Sequence, residues 1–217
     1  MSEELVVVVS GGEAPDARAV PVIPAGTPVV AADLGLEHAL ALGLDVAVAV
    51  GDFDSASPEA VAVAESSGTR VVRHPAEKDA TDLELALDTA LELEPVRVLV
   101  LAGTGGRLDH ELALLLLLAS PRYASATIDA IVGAARVHVI RSERRLAGAP
   151  GELLSLIPVH GPATGVVTEG LAYPLTGETL EPGSTRGISN VFLRDTARVA
   201  VNGGTVLALR PFRSGDP

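Results

Sequence analysis

The segment Val46-Ala47-Val48-Ala49-Val50-Gly51-Asp52-Phe53-Asp54-Ser55 places two carboxylates directly after a short apolar run. A run that is apolar throughout is typical of a strand buried on both faces of a sheet. Similar valine-rich runs recur on both sides of this segment, and longer segments with helical patterns separate them. The alternation of strands and helices predicts a mostly parallel sheet with flanking helices.

The first part of the chain, residues 1–145, is therefore predicted to form a Rossmann-like α/β domain. Its predicted strands are Leu5–Val9, Val29–Ala32, Val46–Val50, Arg70–Val72 and Val96–Ala102. Its predicted helices are Glu37–Leu42, Pro58–Ser66, Leu83–Leu93 and Asp109–Ala119.

The pattern changes near residue 145, where glycine, proline and threonine begin to punctuate short alternating runs. Residues 146–217 are predicted to form a small all-β domain. Asn202-Gly203-Gly204 predicts a hairpin, because asparagine and glycine tolerate the positive φ of a tight turn. The predicted strands are Leu153–Pro158, Gly165–Thr168, Leu171–Leu175, Arg198–Val201 and Thr205–Leu209.

The composition excludes several classes of protein. A net charge of −12 argues against a nucleic-acid partner, since phosphate contacts need clustered lysine and arginine. The chain contains no cysteine, which rules out disulfides, thiolate catalysis and cysteine-ligated zinc. The acidic N-terminus and the short apolar runs predict neither a signal peptide nor a membrane span. A cytoplasmic protein is expected.

Acidic side chains follow two of the predicted strands. Asp33 comes after the second strand, and Asp52 and Asp54 come after the third. Ligands of open α/β sheets bind beyond the carboxyl ends of the strands, and Mg²⁺ prefers oxygen ligands. These positions predict a magnesium site, although a solvated turn would also explain Asp and Ser after a strand.

A second polar segment, residues 77–84, precedes the third predicted helix. Thr81 and Glu84 fit a capping box, which predicts that the helix begins at Thr81. Capping does not explain the other charged residues of the segment. Because a helix start favours anions, Asp79 or Asp82 can lie there, and either would be near Asp52 if the preceding strands are neighbours. Lys78 would then offer a positive charge to a phosphate.

The third polar segment, Gly103-Thr104-Gly105-Gly106-Arg107-Leu108-Asp109-His110, again lies between a strand and a helix. Its glycines would let backbone amides approach an anion, and Arg107 would clamp a phosphate with two donors. It is neither a Walker loop nor a dinucleotide fingerprint. For Asp109 the alternative interpretation is a helix N-cap.

Taken in order, these segments resemble the thiamine pyrophosphokinase family, and the resemblance covers nearly the whole chain. The matching positions are Asp33, Gly35 and His38; Leu42-Gly43; Gly51 to Ser55; Pro75 and Glu77 to Glu84; Gly103 to Arg107 with Asp109-His110; Ser155 to Pro158; Gly170-Leu171, Tyr173-Pro174-Leu175; and Gly187-Ile188-Ser189-Asn190.

The resemblance implies an α/β nucleotide-binding catalytic domain, a small C-terminal β-sandwich that binds thiamine, and a homodimer with its pocket at the interface. It further implies diphosphate transfer from Mg-ATP to thiamine, with AMP released. By the same resemblance Asp52, Asp54 and Asp82 hold Mg²⁺. The resemblance assigns the nucleotide to Asp33, Lys78, Asp79, Thr81, Gly105, Gly106 and Arg107, with Arg107 also catalytic, and the acceptor to Asp109, Ser189 and Asn190.

The chain departs from the family pattern where Leu34 replaces a glycine and where Glu37 and Leu114 each replace an asparagine. After Asp129, where the family tends to carry a further asparagine, the chain has Ile131-Val132-Gly133. The metal and phosphate positions are retained, so the departures concern the acceptor. Two alternatives to a thiamine pyrophosphokinase therefore stay open. One is a divergent diphosphokinase for another small alcohol, and the other is a catalytically silent nucleotide-binding paralogue.

Overall fold

The structure is a computed structural model that describes residues 4–213. The described chain divides into two compact units. The first contains the residues up to Leu114 together with Ser125–Gly133, and the second contains Leu115–Ala124 together with the residues from Ala134 onward. None of the helices described is both long and apolar enough to cross a bilayer.

A six-stranded parallel sheet forms the centre of the first unit. Its strands follow the order β4-β3-β2-β1-β5-β6, and every neighbouring pair is parallel. The strands are β1 (Leu5–Val9), β2 (Val29–Ala32), β3 (Val46–Gly51), β4 (Arg70–Arg73), β5 (Arg97–Ala102) and β6 (Thr127–Val132). The α-helices among residues 4–213 are α1 (Gly35–Ala41), α2 (Pro58–Ser66), α3 (Asp82–Leu91) and α4 (Leu108–Leu118).

The order of the strands reverses at β1, which lies between β2 and β5. In sheets of this kind the crevice beyond the carboxyl ends of the strands at the reversal is the preferred place for a ligand. The segments after β1, β2, β3 and β5 all start from this edge of the sheet, because parallel strands end on the same side. The prediction of a mostly parallel α/β fold is confirmed.

Side-chain caps define the start of two helices. Ser57 Oγ accepts a hydrogen bond from Ala60 N at the start of α2, and Thr81 Oγ1 accepts one from Glu84 N at the start of α3. The predicted N-cap at Thr81 is thus confirmed. Two 3₁₀-helices, Ala17–Val22 and Pro121–Tyr123, complete the local structure between the larger elements.

The second unit is built from antiparallel strands. They are β7 (Ala135–Ile140), β8 (Glu143–Ala147), β9 (Leu153–Glu169), β10 (Thr176–Leu180), β11 (Asn190–Val191), β12 (Thr196–Ala200) and β13 (Gly203–Pro211). Its core contains fully buried side chains from several strands, among them Leu154, Leu156, Phe192, Val199 and Val206. An all-β second part is confirmed.

Three details of the second unit differ from the prediction. The two strands predicted at Leu153–Pro158 and Gly165–Thr168 are one long strand, β9, and residues 171–175 form no strand beyond a bridge at Leu171. The hairpin prediction at Asn202 was wrong, since β12 pairs with β8 and β9, whereas β13 pairs with β7 and β9. Strands β7 and β8 belong to this unit, although the predicted boundary follows residue 145.

Candidate functional site

Three carboxylates converge at the carboxyl edge of the parallel sheet. Asp33 follows β2, Asp52 follows β3 and Asp82 is the first residue of α3. One oxygen from each lies within 4.8 Å of the others. Asp33 is buried, and its Oδ1 atom has no hydrogen-bond partner among the described residues. An oxygen-only donor set of this size fits a hard divalent cation such as Mg²⁺.

The close approach of β2 and β3 brings Asp33 next to Asp52. Asp33 N donates a hydrogen bond to Val50 O at 2.9 Å. A Cβ atom at Gly51 would lie only 3.1 Å from the Cβ of Asp33, so the absence of a side chain at residue 51 permits this packing. Asp33 and Phe53 both adopt positive φ, 47° and 58°, a strained conformation that is concentrated at functional sites.

Lys78 is the single lysine of the chain, and it lies among these carboxylates. Its Nζ atom is 2.8 Å from Asp52 Oδ2 and 3.0 Å from Asp82 Oδ1. The ammonium group therefore takes a place between two carboxylates where a cation is stabilised. This contact is a second sign, independent of the donor set, that the cluster accommodates a positively charged ion.

The pKa values in the cluster reflect burial and pairing. Burial raises the pKa of Asp33, and the nearby charges of Asp82 and Asp52 add to the effect. The hydrogen bond from Lys78 lowers the pKa of Asp52. Burial by itself would lower the pKa of Lys78, but its hydrogen bonds to Asp52 and Asp82 outweigh burial and raise it. Lys78 therefore remains an ammonium ion at neutral pH.

Asp54 and Asp79 lie outside the group of three carboxylates. Asp54 is exposed, and one of its oxygens accepts a hydrogen bond from Ser55 Oγ at 2.8 Å. Asp79 is also exposed. The predicted set of Asp52, Asp54 and Asp82 thus differs from the geometric cluster by one member, because Asp33 occupies the third position. The ligand roles themselves remain predictions.

The glycine-rich segment after β5 has acidic neighbours. Gly105 N donates a hydrogen bond to Glu111 Oε1 at 2.7 Å, so a carboxylate engages one of the amides predicted to bind phosphate. Gly106 lies near the side chain of Glu13. Arg107 pairs with Asp109 at 2.6 Å, and both side chains are largely exposed. This contact lowers the pKa of Asp109 and raises that of Arg107.

The segment after β1 belongs to the same edge of the sheet and is absent from the sequence-based prediction. A Cβ atom on Gly103 would lie 2.3 Å from Glu13 O, so the segments after β1 and β5 pack tightly together. Gly12 O lies 2.8 Å from Nε2 of His38, which comes from α1. The pair Gly11-Gly12, one residue after the buried strand β1, is the signal that would have identified this segment.

Two of the departures from the family pattern have structural roles. Glu37 Oε1 accepts a hydrogen bond from Ser57 N at 2.6 Å, which ties α1 to the start of α2. Leu114 is a buried member of the hydrophobic core.

A separate cavity of about 420 Å³ lies in the second unit, between Tyr173 and residues 184–190. Ser189 is exposed at this cavity and adopts a φ of 56°. Asn190 is 2% exposed, and its amide is engaged by the backbone of Tyr173. Two of the three residues predicted to seat the acceptor, Ser189 and Asn190, therefore line the cavity, whereas Asp109 does not, and the polar atoms of Asn190 are already hydrogen-bonded.

A carboxylate cluster beyond the carboxyl ends of parallel strands, where the strand order reverses, is suited to an enzyme of the α/β class that binds a metal-associated ligand. The family models identify the family: residues 24–130 match the thiamin pyrophosphokinase catalytic domain, and residues 137–206 match the thiamin pyrophosphokinase vitamin B1 binding domain. The chain belongs to the thiamin pyrophosphokinase family, and the resemblance inferred from its motifs is confirmed.

Individual relatives agree with this result. The chain is 29% identical over 191 residues to the thiamine pyrophosphokinase of Bacillus subtilis (strain 168), covering 83% of this chain and 86% of the relative. A crystal structure of thiamine pyrophosphokinase from Bacillus subtilis matches with a TM-score of 0.83 at 26% identity, over 96% of this chain and 99% of the other. A thiamin pyrophosphokinase family protein from Enterococcus faecalis matches with a TM-score of 0.79 at 27% identity, over 97% and 100% of the two chains.

Proposed function

We propose that the protein is a thiamine pyrophosphokinase that transfers a diphosphate group from ATP to the hydroxyl of thiamine, giving thiamine diphosphate and AMP. The observation that carries the proposal is the convergence of Asp33, Asp52 and Asp82 within 4.8 Å, in a chain that matches both domains of the family. The donor set suits the cation that accompanies ATP in such reactions.

Asp33, Asp52 and Asp82 would hold Mg²⁺, and the exposed Asp54, two residues from Asp52, is a fourth candidate ligand. When bound, Mg²⁺ supplies charge neutralisation on the phosphate oxygens of ATP. Lys78, which pairs with Asp52 and Asp82 in this structure, would then turn toward a phosphate. Its compact ammonium group suits that task, since it acts as a movable point charge.

The segment after β5 would hold the triphosphate. Gly105 and Gly106 offer backbone amides, and Arg107 offers a guanidinium that can bind a phosphate with two donors. The Arg107 side chain is 70% exposed and its partner Asp109 is 64% exposed, so water already screens the pair and exchange for a phosphate costs little. Asp79 and Thr81, at the start of α3, are also assigned to the nucleotide.

The reaction is a single displacement. The hydroxyl oxygen of thiamine forms a bond to the β-phosphorus of ATP and loses its proton, while the bond from the β-phosphorus to the bridging oxygen breaks and that oxygen leaves with AMP. Catalysis of this type depends on positioning the two substrates and on neutralising charge. The residues named above serve these two tasks.

Asp109, Ser189 and Asn190 are assigned to the acceptor. The homodimer and the cytoplasmic location are part of the same proposal.

The test is a product assay with a matched pair of variants. The purified protein with Mg²⁺, ATP and thiamine is expected to release AMP and thiamine diphosphate, both measured by chromatography. Asp52→Asn should reduce turnover by a factor on the order of 100 or more, because it weakens the carboxylate set that would hold the cation neutralising the charge of the transferring group. Asp45→Asn is the control, since Asp45 is exposed and precedes β3 at the opposite edge of the sheet.

The outcomes separate the alternatives. AMP release that requires a different small alcohol would replace thiamine as the acceptor. Binding of ATP in calorimetry without AMP release would favour a silent paralogue. Normal turnover by the Asp52→Asn variant would remove the carboxylate cluster from the mechanism.

A further inference from the structure

The loop between β5 and α4, residues 103–107, is in contact with a carboxylate from the helix that follows it. Glu111 lies in the first turn of α4, and its side chain is partly exposed. Its Oε1 atom accepts a hydrogen bond from Gly105 N at 2.7 Å, which is at the short end of the range for amide donors, as is usual when the acceptor is ionised. The amide that the proposed function assigns to a phosphate therefore already holds an anion.

Helix capping does not explain this contact. In a capping box the acidic side chain returns three positions, to the residue just before the helix. Glu111 reaches six positions back, to a residue outside α4, which begins at Leu108. Gly105 has a φ of 105°, a conformation that other residues rarely adopt, so the chain presents this amide through a backbone shape that requires glycine. The contact therefore belongs to the loop and not to the end of the helix.

The guanidinium of the loop is held in the same way. Arg107 donates from Nε to Asp109 Oδ1 at 3.2 Å and from Nη2 to Asp109 Oδ2 at 2.6 Å, the two-donor pairing that a phosphate would also use. A third carboxylate is close by, since a Cβ atom on Gly106 would lie 3.4 Å from Cγ of Glu13. Carboxylates thus surround a loop whose donors suit an anion, and a phosphate has to displace those that are hydrogen-bonded.

We propose that Glu111 is an internal competitor of the triphosphate. Its carboxylate occupies the Gly105 amide in the ligand-free protein, and it has to turn out to water before a phosphate oxygen can bind there. The affinity of the loop for ATP is therefore lower than its donors alone would give. This inference rests on the proposed function, because that function assigns the triphosphate to this loop. A purely structural role predicts the opposite effect, since a Glu111 that shapes the loop would support phosphate binding.

The experiment measures the Kd of Mg-ATP and of inorganic tripolyphosphate by isothermal titration calorimetry. Glu111→Gln keeps an oxygen that can accept the hydrogen bond but loses the charge, so both Kd values should fall about threefold. Glu111→Ala removes the acceptor, and both should fall about tenfold, the size expected when one charge-assisted hydrogen bond no longer has to be broken. Glu92→Gln is the matched control, because it makes the same charge change at an exposed residue that follows α3, and its Kd values should stay unchanged.

Weaker binding or unchanged binding by the Glu111 variants would overturn the inference. Tighter binding of Mg-ATP without tighter binding of tripolyphosphate would overturn it too, since the competition would then not concern the phosphates. Thermal unfolding shows whether Glu111→Ala is folded; if it is not, Glu111→Gln decides alone. None of these measurements uses the acceptor, so a protein that binds ATP but does not turn over thiamine removes the proposed function and leaves the inference standing. An unmodified protein that binds neither ligand contradicts both.

Discussion

Lys78 illustrates at the scale of a single residue how the acidic cluster manages its charge. The chain has sixteen basic residues of the lysine and arginine type, and Lys78 is the one lysine among them. Its ammonium group bridges Asp52 and Asp82, and its side chain is 15% exposed. A divalent cation entering the cluster would compete with this group for the same oxygens, and the displaced lysine would then be free to bind a phosphate.

This competition predicts an effect on metal affinity. Lys78→Met should bind Mn²⁺ or Mg²⁺ about tenfold more tightly than the unmodified protein when ATP is absent, because two nearby carboxylates lose their internal partner. Lys78→Arg retains the charge and is expected to bind the cation about as the unmodified protein does. Isothermal titration calorimetry without nucleotide measures both. Weaker binding by Lys78→Met would mean that the lysine supports the cation instead of competing with it.

The elements of the first unit were predictable where local signals and burial agree. The Ser57-Pro58 start of α2 and the valine runs of β1 and β2 have the same bounds in prediction and structure. Strands β6 and β7 were missed, since Asp129, Arg136 and His138 interrupt their apolar runs although all three side chains are buried. The hairpin prediction failed because turn chemistry is local, whereas the long strand β9 pairs with both β12 and β13.

The candidate site was predictable where it depends on a local signal in the sequence, and it was not predictable where it depends on packing between strands. Residues directly after strands were identified correctly as lying at one edge of the sheet. The choice between Asp33 and Asp54 depends on the close packing of β2 against β3 at Gly51, which adjacency in sequence does not reveal. Asp54 is two residues from Asp52 but exposed, whereas Asp33 is nineteen positions away and lies within the cluster.

The link between α1 and α2 gives a prediction at the scale of elements. The hydrogen bonds from Ser57 lower the pKa of Glu37, so its ionised form stabilises the fold. This stabilisation is complete above the unfolded-state pKa and disappears as the pH falls through the lower folded-state pKa. Glu37→Gln should therefore lower Tm at pH 7, and the difference from the unmodified protein should vanish in acid, well below the ordinary glutamate pKa of about 4.3.

Thermal unfolding over a pH series measures this difference. Glu181→Gln is the control, since Glu181 is exposed, and its Tm should follow the unmodified protein at every pH. A Tm difference for Glu37→Gln that persists in acid would show that the charge of Glu37 is not the cause.

At the scale of the whole molecule, helix α4 carries a row of apolar side chains that are exposed to water. Leu108, Leu112 and Leu116 are spaced by four residues and therefore share one helix face, and they are 77%, 56% and 37% exposed. Exposed apolar side chains that are contiguous in this way are typical of an interaction surface. The homodimer of the proposed function supplies an occupant for this face, namely the same face of a second copy.

The proposed dimer can be tested by sedimentation. Two chains of 22.1 kDa give a species of about 44 kDa, twice the chain mass. Because each copy carries a net charge of −12, association should strengthen as salt screens the repulsion. Leu112→Glu should convert the dimer to a 22.1 kDa monomer, since an unpaired charge is costly to bury in an apolar contact.

Val96→Glu is a matched control, because Val96 is equally exposed at 56% but precedes β5 at the other edge of the sheet. A Leu112→Glu protein that remains dimeric would place the contact on another surface, and an unmodified protein that is monomeric at every salt concentration would contradict the homodimer itself.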